Sequence, residues 1–524
     1  MKSDSSQRSL RKAVAAKLVA GARDERGVAA VFFALALVLL SPVVLGIADL
    51  YLGSTQRTQL QDALDAATLF AARSNATTST AVDAVGDKAL AANLVLPAGV
   101  TLVASTFTLS GDTVTGYAEI TAPALAPSVW THANLKASST VVRGTERLEV
   151  ALVLDNTGSM QGTKLDNTKA AAKSLIDTLV AASANVAVTD PLKVSLVPFA
   201  ATVRVQGATS LNSYNTTTHS GPSIPSWIDP QAQAHVTDGT DIFASQQDRF
   251  GLMKQMGKSW AGCVESRKQP YDIQETAPTS GTPATMFVPY FWPDEADYND
   301  GFYGTVNDYL DDGSNSSSWS TRQKRVAKYN TTLSGSVDGP NAWCDLQPVI
   351  RLTATTSTVK TAIDGMVASG ETNVPMGLMW GWHTLSPNAP FGDGAAYSTA
   401  NLRKIIVLMT DGDNTMVTPS GWSNNGSYYG GLGYIWQGLL GITSGSDATR
   451  NSKMNDRFTA LCAAVKARNI TIYTVGVGVS ANSKTLLQGC ASSTDKYYDV
   501  TQASDLTAAF NSIAGSIASL RISQ

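Results

Sequence analysis

The first strong feature of the hydrophobic pattern is an uncharged run of 21 residues, Val28–Ala48, which reads VAAVFFALALVLLSPVVLGIA. A bilayer-spanning helix needs about 20 apolar residues. Residues 1–27 before it carry seven basic and three acidic side chains, a difference of +4. The pattern predicts a transmembrane helix over 28–52, with the basic arm in the cytoplasm and 53–524 exported to the periplasm or cell surface. A secretory signal is the alternative, but its apolar region would be roughly 7–15 residues long.

The segment after the apolar run, Ser54–Arg73, contains no Gly or Pro and is rich in Ala, Leu and Gln, so the helix is expected to continue through it. Beyond residue 76 the composition becomes rich in Thr and Val. The stretch VTLVASTFTLSGDTVTGYAEITA contains two strand-like runs separated by a Gly-Asp turn. Residues 53–146 are therefore predicted to form an extended helix and a small β-rich module.

From residue 147 onward, short β-branched strands alternate with helices. The strand LEVALVLD is followed by the amphipathic TKLDNTKAAAKSLIDTLVAA and then by the strand LKVSLVPFA. This alternation is typical of a doubly wound, mostly parallel α/β sheet, and we assign it to one Rossmann-like domain over 147–524. Two stretches rich in Gly, Ser, Asn and Tyr, about 205–345 and 417–449, interrupt it and are predicted to be large loop insertions.

Charge and cysteine content narrow the function classes. The net charge is −3, and no basic face with interleaved aromatics suggests nucleic-acid binding. Four cysteines with no CxxC spacing, in an exported domain, suggest two disulfides, for which three pairings exist. We expect Cys462–Cys490, which joins a helix to the segment past the next strand, and Cys263–Cys344, which brackets the larger insertion. Buried free thiols are the alternative.

Polar residues at the ends of buried strands are the candidate functional residues. Asp155, Thr157 and Ser159 follow the first strand of the α/β domain, Thr372 lies in a Gly-flanked loop before a helix, and Asp411 ends another strand. Ligands of open α/β sheets bind at the carboxyl edge of the strands, where these loops should meet. Hydroxyls and carboxylates are hard oxygen ligands suited to Mg²⁺. Ordinary turn chemistry is the competing interpretation of each motif taken singly.

The three motifs together, D-x-T-x-S, a distant Thr and a strand-ending T-D-G, resemble the metal-ion-dependent adhesion site of von Willebrand factor A domains. The family usually has D-x-S-x-S, and Thr157 keeps the hydroxyl. The resemblance implies Mg²⁺, with Mn²⁺ or Ca²⁺ as alternatives, held directly by Thr157, Ser159 and Thr372. Asp155 and Asp411 would act through coordinated waters. A partner's Asp or Glu often completes the metal shell in this family.

The amino-terminal segment carries a second resemblance. RGVAAVFFALALVLLSPVVLGIADLYLGSTQRTQLQDALDAATLFAA is similar to the TadE/TadG-like segment of Flp (tight adherence) pilus assembly proteins. This segment followed by an A domain is the order of TadG-like proteins. It implies a membrane-anchored, non-catalytic assembly or adhesion factor whose protein partners are pilus components or surface proteins. The alternative is a pilus-independent surface adhesin. A prepilin peptidase site would need Glu where Phe32 stands, so pilin-type processing is not expected.

Other motifs do not indicate catalysis. GLMKQMGKS has five residues between its glycines where a phosphate loop has four, and GVGVSA is interpreted as a tight strand-to-helix turn. The acidic, aromatic stretch FWPDEADYNDGFYGTVNDYLDD fits no EF-hand spacing and is predicted to be a solvated face of the insertion. The chain has no HExxH or GxSxG motif.

Overall fold

The computed structural model describes residues 25–520 except 75, 77, 123–132, 144–145, 185, 187, 298–305, 314–316, 335–337 and 420–423. Most of the predicted cytoplasmic arm therefore lies outside the described residues. The chain divides into two compact units, Met1–Gly144 and Thr145–Gln524.

The amino-terminal unit is built on one long helix, α1 (Glu25–Arg73), which confirms the predicted continuation through Ser54–Arg73 and includes Pro42. It is the one helix among the described residues that is long and apolar enough to cross a membrane, by length and composition. A second helix, α2 (Ser79–Asn93), and an antiparallel sheet complete the unit. The strands, in the order in which they pair, are β1 (Leu102–Ser110), β2 (Thr113–Ile120) and β3 (Leu135–Val142).

The hydrophobic core of this unit explains why α1 continues beyond the apolar run Val28–Ala48. Leu60 and Leu64 of α1 are buried, as is Phe107 of β1, in one hydrophobic cluster with α2. The outer part of α1 is thus stabilised by packing against the sheet, whereas the side chains of its apolar first part are mostly exposed.

The second unit is centred on a six-stranded sheet. Its order is β11–β10–β9–β4–β5–β8, parallel throughout except that β8 runs antiparallel to β5. The strands are β4 (Arg147–Asp155), β5 (Leu192–Phe199), β8 (Ile350–Thr353), β9 (Leu402–Thr410), β10 (Thr471–Val477) and β11 (Tyr497–Val500). The predicted parallel α/β sheet is confirmed, while the short β8 is an additional edge strand.

Helices cover both faces of this sheet, as a doubly wound fold requires. Along the chain, these helices lie between the strands or after the last strand, where the hydrophobic periodicity predicted them. One face carries α3 (Thr163–Ser183), α7 (Thr356–Asp364) and α11 (Leu506–Leu520), and the other carries α8 (Val374–Leu385), α9 (Asp447–Lys466) and α10 (Ala481–Cys490).

Helix α8 lies unusually close to the sheet. A Cβ on Gly377 would come within 2.5 Å of the Phe199 ring, and one on Gly381 within 2.4 Å of Val153. Any side chain at these two positions would push α8 away from β4 and β5. The glycines thereby hold the loop in front of α8 against the carboxyl edge of the strands.

Among their described residues, the interruptions and the residues beside them form short helices and strands as well as 3-10 turns. These helices and strands are β6 (Val203–Arg204), α4 (Gln233–Thr237), α5 (Arg249–Gln255), β7 (Cys263–Val264) and α6 (Trp319–Gln323). Several of their aromatic side chains are nevertheless buried in the same cluster as α8, including Trp260, Trp292, Tyr329 and Tyr434. These stretches therefore extend the hydrophobic core.

The prediction of a solvated acidic stretch is wrong for residues 291–296, which are buried, whereas Asp308 and Asp311 later in the same stretch are exposed. Phe291, Trp292 and Asp294 are at most 1% exposed. The Asp294 carboxylate accepts hydrogen bonds from the backbone amides of Tyr309 and Leu310 at 2.6 and 2.7 Å, and Lys328 Nζ lies 2.7 Å from its other oxygen. An acidic composition is thus accommodated inside the fold because its charge is paired.

Both predicted disulfides are confirmed. Cys263 is bonded to Cys344, 81 positions later, and Cys462 to Cys490, 28 positions later. The second bridge joins α9 to α10, and the first brackets most of the larger insertion. The described residues include no free cysteine.

Candidate metal centre

The sheet register brings two of the predicted motifs side by side. β4 and β9 are adjacent parallel strands, with Leu154 opposite Met409. The next residues, Asp155 and Thr410, end the two strands at the same edge. Asp411 follows Thr410 directly, so the two acidic residues of the motifs come from neighbouring strands.

Asp155 is fully buried, and its carboxylate is oriented by two donors. The backbone amide of Thr157 donates to Oδ1 at 2.8 Å, and the Thr410 hydroxyl donates to Oδ2 at 2.6 Å. Burial, with the nearby charge of Asp411 as the second cause, raises the pKa of Asp155 to about 6, although the hydrogen bonds from Thr157 and Thr410 act in the opposite direction. The fold therefore holds a carboxylate where an anion is costly unless positive charge is close.

The hydroxyl groups of the first motif form a chain that ends at Asp411. Thr157 Oγ1 lies 2.9 Å from Ser159 Oγ, and Ser159 Oγ donates to Asp411 Oδ1 at 2.6 Å. Thr157 and Asp411 are buried, whereas Ser159 is exposed. Ser159 is thus the member of the chain that solvent or another molecule reaches first.

Thr372 is placed next to the same group. Its amide donates to Thr415 Oγ1 at 2.9 Å, and the Thr415 amide donates back to its carbonyl at the same distance. A Cβ built on Gly412 would lie 3.9 Å from Thr372 Oγ1 and 4.0 Å from Ser159 Oγ. The loop that carries Thr372 therefore reaches the site as well. All five predicted residues lie together at one edge of the sheet.

Two participants were missed in the sequence. Thr410 orients Asp155, and its signal was a hydroxyl that ends an otherwise apolar strand. Lys164, in the first turn of α3, places its Nζ 2.6 Å from Asp411 Oδ2. A lysine five positions after Ser159, at the start of the following helix, was the available signal.

The donor set differs from the usual clusters of metal-binding side chains. Among the residues that the structure describes, no three His, Cys, Asp or Glu side chains lie together as a metal cluster. This site offers two carboxylates and three hydroxyls instead. Such a set supplies oxygen without excess negative charge.

Comparisons with known proteins give only weak likenesses. No protein-family model matches the chain, and no curated protein matches its sequence. Solved structures that resemble it include the pilus adhesin SpaC from Lactobacillus rhamnosus GG, with 11% identity over 80% of this chain and 34% of that one and a TM-score of 0.31.

Two further examples have similar scores. The vWF domain of the type V pili tip protein Mfa5 from Porphyromonas gingivalis has 10% identity over 71% of this chain and 95% of that one, with a TM-score of 0.30. Proximal thread matrix protein 1 from the mussel byssus has 11% identity over 71% and 46%, with a TM-score of 0.28. This chain spans about a third of SpaC and about half of the byssus protein. The likenesses do not decide its function, which we infer from its own residues.

Proposed function

We propose that the chain is a membrane-anchored, non-catalytic pilus assembly or adhesion factor whose exported domain binds a protein partner through a divalent cation. The observation that carries the proposal is the hydrogen bond from Ser159 to Asp411. This bond joins the first and third motifs, which are far apart in the chain, into one oxygen-lined group at the sheet edge.

The residues present fit Mg²⁺. Asp155 and Asp411 lie close enough that the charge of one raises the pKa of the other, and a divalent ion near both would relieve this repulsion. The hydroxyls of Thr157 and Ser159 are 2.9 Å apart and belong to the same group. Hydroxyl and carboxylate oxygens are the ligands that Mg²⁺, Mn²⁺ and Ca²⁺ accept.

Each residue has a distinct part in this proposal. Thr157, Ser159 and Thr372 would hold the ion directly, and Asp155 and Asp411 would hold its waters and balance its charge. The ion would supply Lewis acidity toward a partner's Asp or Glu carboxylate. Ser159 is exposed, and the glycines beside it in the two loops, Gly158 and Gly412, carry no side chain that could cover it.

The anchor defines where this binding would occur. Helix α1 begins next to the basic arm and is apolar over the length of a bilayer. We propose a single-pass topology, with the amino terminus in the cytoplasm and the domain outside. Together with the TadE/TadG-like segment, this topology favours pilus assembly components or surface proteins as partners.

The test is recovery of partners by the tagged full-length chain, purified in detergent, from a membrane and pilus fraction. Wild-type protein should recover partners with Mg²⁺ and lose them with chelator, and Ser159→Ala should fail in both. Ser480→Ala is the matched control, because Ser480 is also exposed and donates to an Asp carboxylate at 2.6 Å, that of Asp413. Equal recovery by all proteins in both conditions, with unchanged circular dichroism, would overturn the proposal.

A further inference from the structure

We infer that Lys164 is a further functional residue of this site, which neutralises Asp411 when no divalent ion is bound and sets the affinity for that ion by competing with it. The inference rests on the proposed metal site. It concerns a residue outside the five that the motifs single out.

The first step is the geometry of one carboxylate. Asp411 receives Ser159 Oγ on Oδ1 and Lys164 Nζ on Oδ2, both at 2.6 Å. The two oxygens of this carboxylate therefore join the ammonium to the hydroxyl chain. A divalent ion held by Ser159 and an ammonium held by the same carboxylate would repel each other at short range, where salt screens little.

The second step is charge balance. The Asp411 side chain has no exposed surface, and the buried Asp155 lies near it. Among the described contacts to these two carboxylates, Lys164 supplies the only cation. Because a buried anion without a counter-charge is unfavourable, the ammonium is what makes the ion-free arrangement stable.

The third step is that Lys164 is able to leave. Its side chain is 42% exposed, so the ammonium can move into water while the stem remains on α3. Lys404 provides the contrast: it is 4% exposed, pairs with Glu149 inside the fold and has no such route. Lys164 therefore combines a contact to the metal-site carboxylate with access to solvent, as a displaceable counter-ion requires.

The consequence is that the site binds Mg²⁺ more weakly than its oxygen ligands would without Lys164. The ion must displace an internal positive charge, so occupancy requires a higher concentration of free Mg²⁺. Removal of the positive charge should tighten binding, whereas replacement by another cation should not.

The experiment measures Mg²⁺ affinity by isothermal titration calorimetry with MgCl₂ and the full-length chain in detergent. Lys164→Met keeps the stem without the charge, and Lys164→Gln is a second neutral variant. Lys164→Arg keeps the charge. Lys173→Met is the matched control, because Lys173 lies on the same helix, is 35% exposed and pairs with Asp364 at 2.6 Å.

The neutral variants should bind Mg²⁺ roughly tenfold more tightly than wild type, in the range of common coupling energies. Lys164→Arg and Lys173→Met should remain close to wild type. Without metal, Lys164→Met should melt at a lower temperature than wild type, because Asp411 has lost its counter-ion. Saturating Mg²⁺ should remove most of this difference.

Neutral variants that bind no more tightly than wild type would overturn this inference and leave the metal site standing. The same conclusion would follow if Lys164→Arg tightened binding as much as Lys164→Met, since charge would then not be the cause. Absence of Mg²⁺ binding in every protein, including wild type, would instead overturn the metal site itself and this inference with it. Binding by the neutral variants alone would support the competition.

Discussion

Ser159 and Asp411 are hydrogen-bonded at 2.6 Å although 252 positions separate them in the chain. The bond requires that β4 and β9 lie side by side and that both loops reach the same height above the sheet edge. Folding therefore brings together the oxygen atoms that we propose as a metal site, and the stability of the domain should report on the ion.

Asp155→Asn should have opposite effects with and without Mg²⁺. The raised pKa of Asp155, about 6, means that its charged form at pH 7 is costly, and two pK units correspond to about 3 kcal/mol. The neutral, isosteric amide should recover part of this and raise the metal-free melting temperature. The same variant should lose the gain that saturating Mg²⁺ gives wild type, about 2.7 kcal/mol at a hundred times Kd.

The measurement is thermal unfolding by circular dichroism in EDTA and in MgCl₂. Asn is preferable to Ala here, because Ala would leave the Thr157 amide and the Thr410 hydroxyl without their acceptor. An Mg²⁺-dependent rise of equal size in wild type and Asp155→Asn would contradict the prediction.

Asp294 should give the insertion a distinct pH dependence. Burial raises its pKa to about 6 in the folded state, above its ordinary value, although Lys328 acts in the opposite direction. A raised carboxyl pKa means that the folded state holds the proton more tightly. Below pH 4 Asp294 is protonated in both states and does not lower the free energy of unfolding. As the pH rises through 6, its ionisation lowers that free energy by up to about 3 kcal/mol.

Asp294→Asn removes that titration. From pH 4 to pH 7 the free energy of unfolding of wild type should fall by about 2–3 kcal/mol relative to the variant, measured by urea denaturation. Asp311→Asn changes an exposed carboxylate of the same stretch and should follow wild type. A constant difference between wild type and Asp294→Asn at all pH values would show that Asp294 does not titrate in this range.

The two disulfides should differ in their contribution to stability. In the chain-entropy account, a crosslink stabilises more when it closes a longer loop. Cys263–Cys344 spans 81 positions and Cys462–Cys490 spans 28, so replacement of the first pair by serine should cost about 1 kcal/mol more. Denaturant unfolding of the two double variants measures this. A larger loss from the shorter bridge would mean that local contacts between α9 and α10 outweigh loop entropy.

Membrane topology is tested by reporter fusions after residue 144. An export-dependent reporter should be active and a cytoplasmic one inactive, because the basic arm is retained inside. The fusion should stay in the membrane fraction at full length, which separates an anchor from a cleaved signal. Deletion of residues 28–48 from the same fusion should reverse both activities. An active cytoplasmic reporter on the intact fusion would refute the topology.

The sequence predicted the central sheet well because buried parallel strands are short, rich in β-branched residues and end abruptly in polar residues. β4 ends at Asp155, and β9 ends at Thr410, directly before Asp411. The sequence did not predict β8, whose four residues pair antiparallel at the edge and lack a distinctive pattern. Lys164 was missed because its partner, Asp411, lies 247 positions later in the chain, directly after β9. The packing of the interruptions was missed because irregularly spaced aromatics carry no periodic signal.

The two interruptions are bonded to each other as well as to the sheet. Tyr429 donates to Glu265, and Tyr434 donates to Glu295 at 2.7 Å while accepting from Trp292. Each tyrosine belongs to the later interruption and each carboxylate to the earlier one. Deletion of the earlier segment would remove the carboxylate acceptors of both buried tyrosine hydroxyls, and deletion of the later one would remove the hydroxyl that Tyr429 donates to the buried Glu265. Each segment therefore supports the packing of the other. The two interruptions are therefore expected to be gained or lost together during evolution. A relative that lacks one of them should also lack the other.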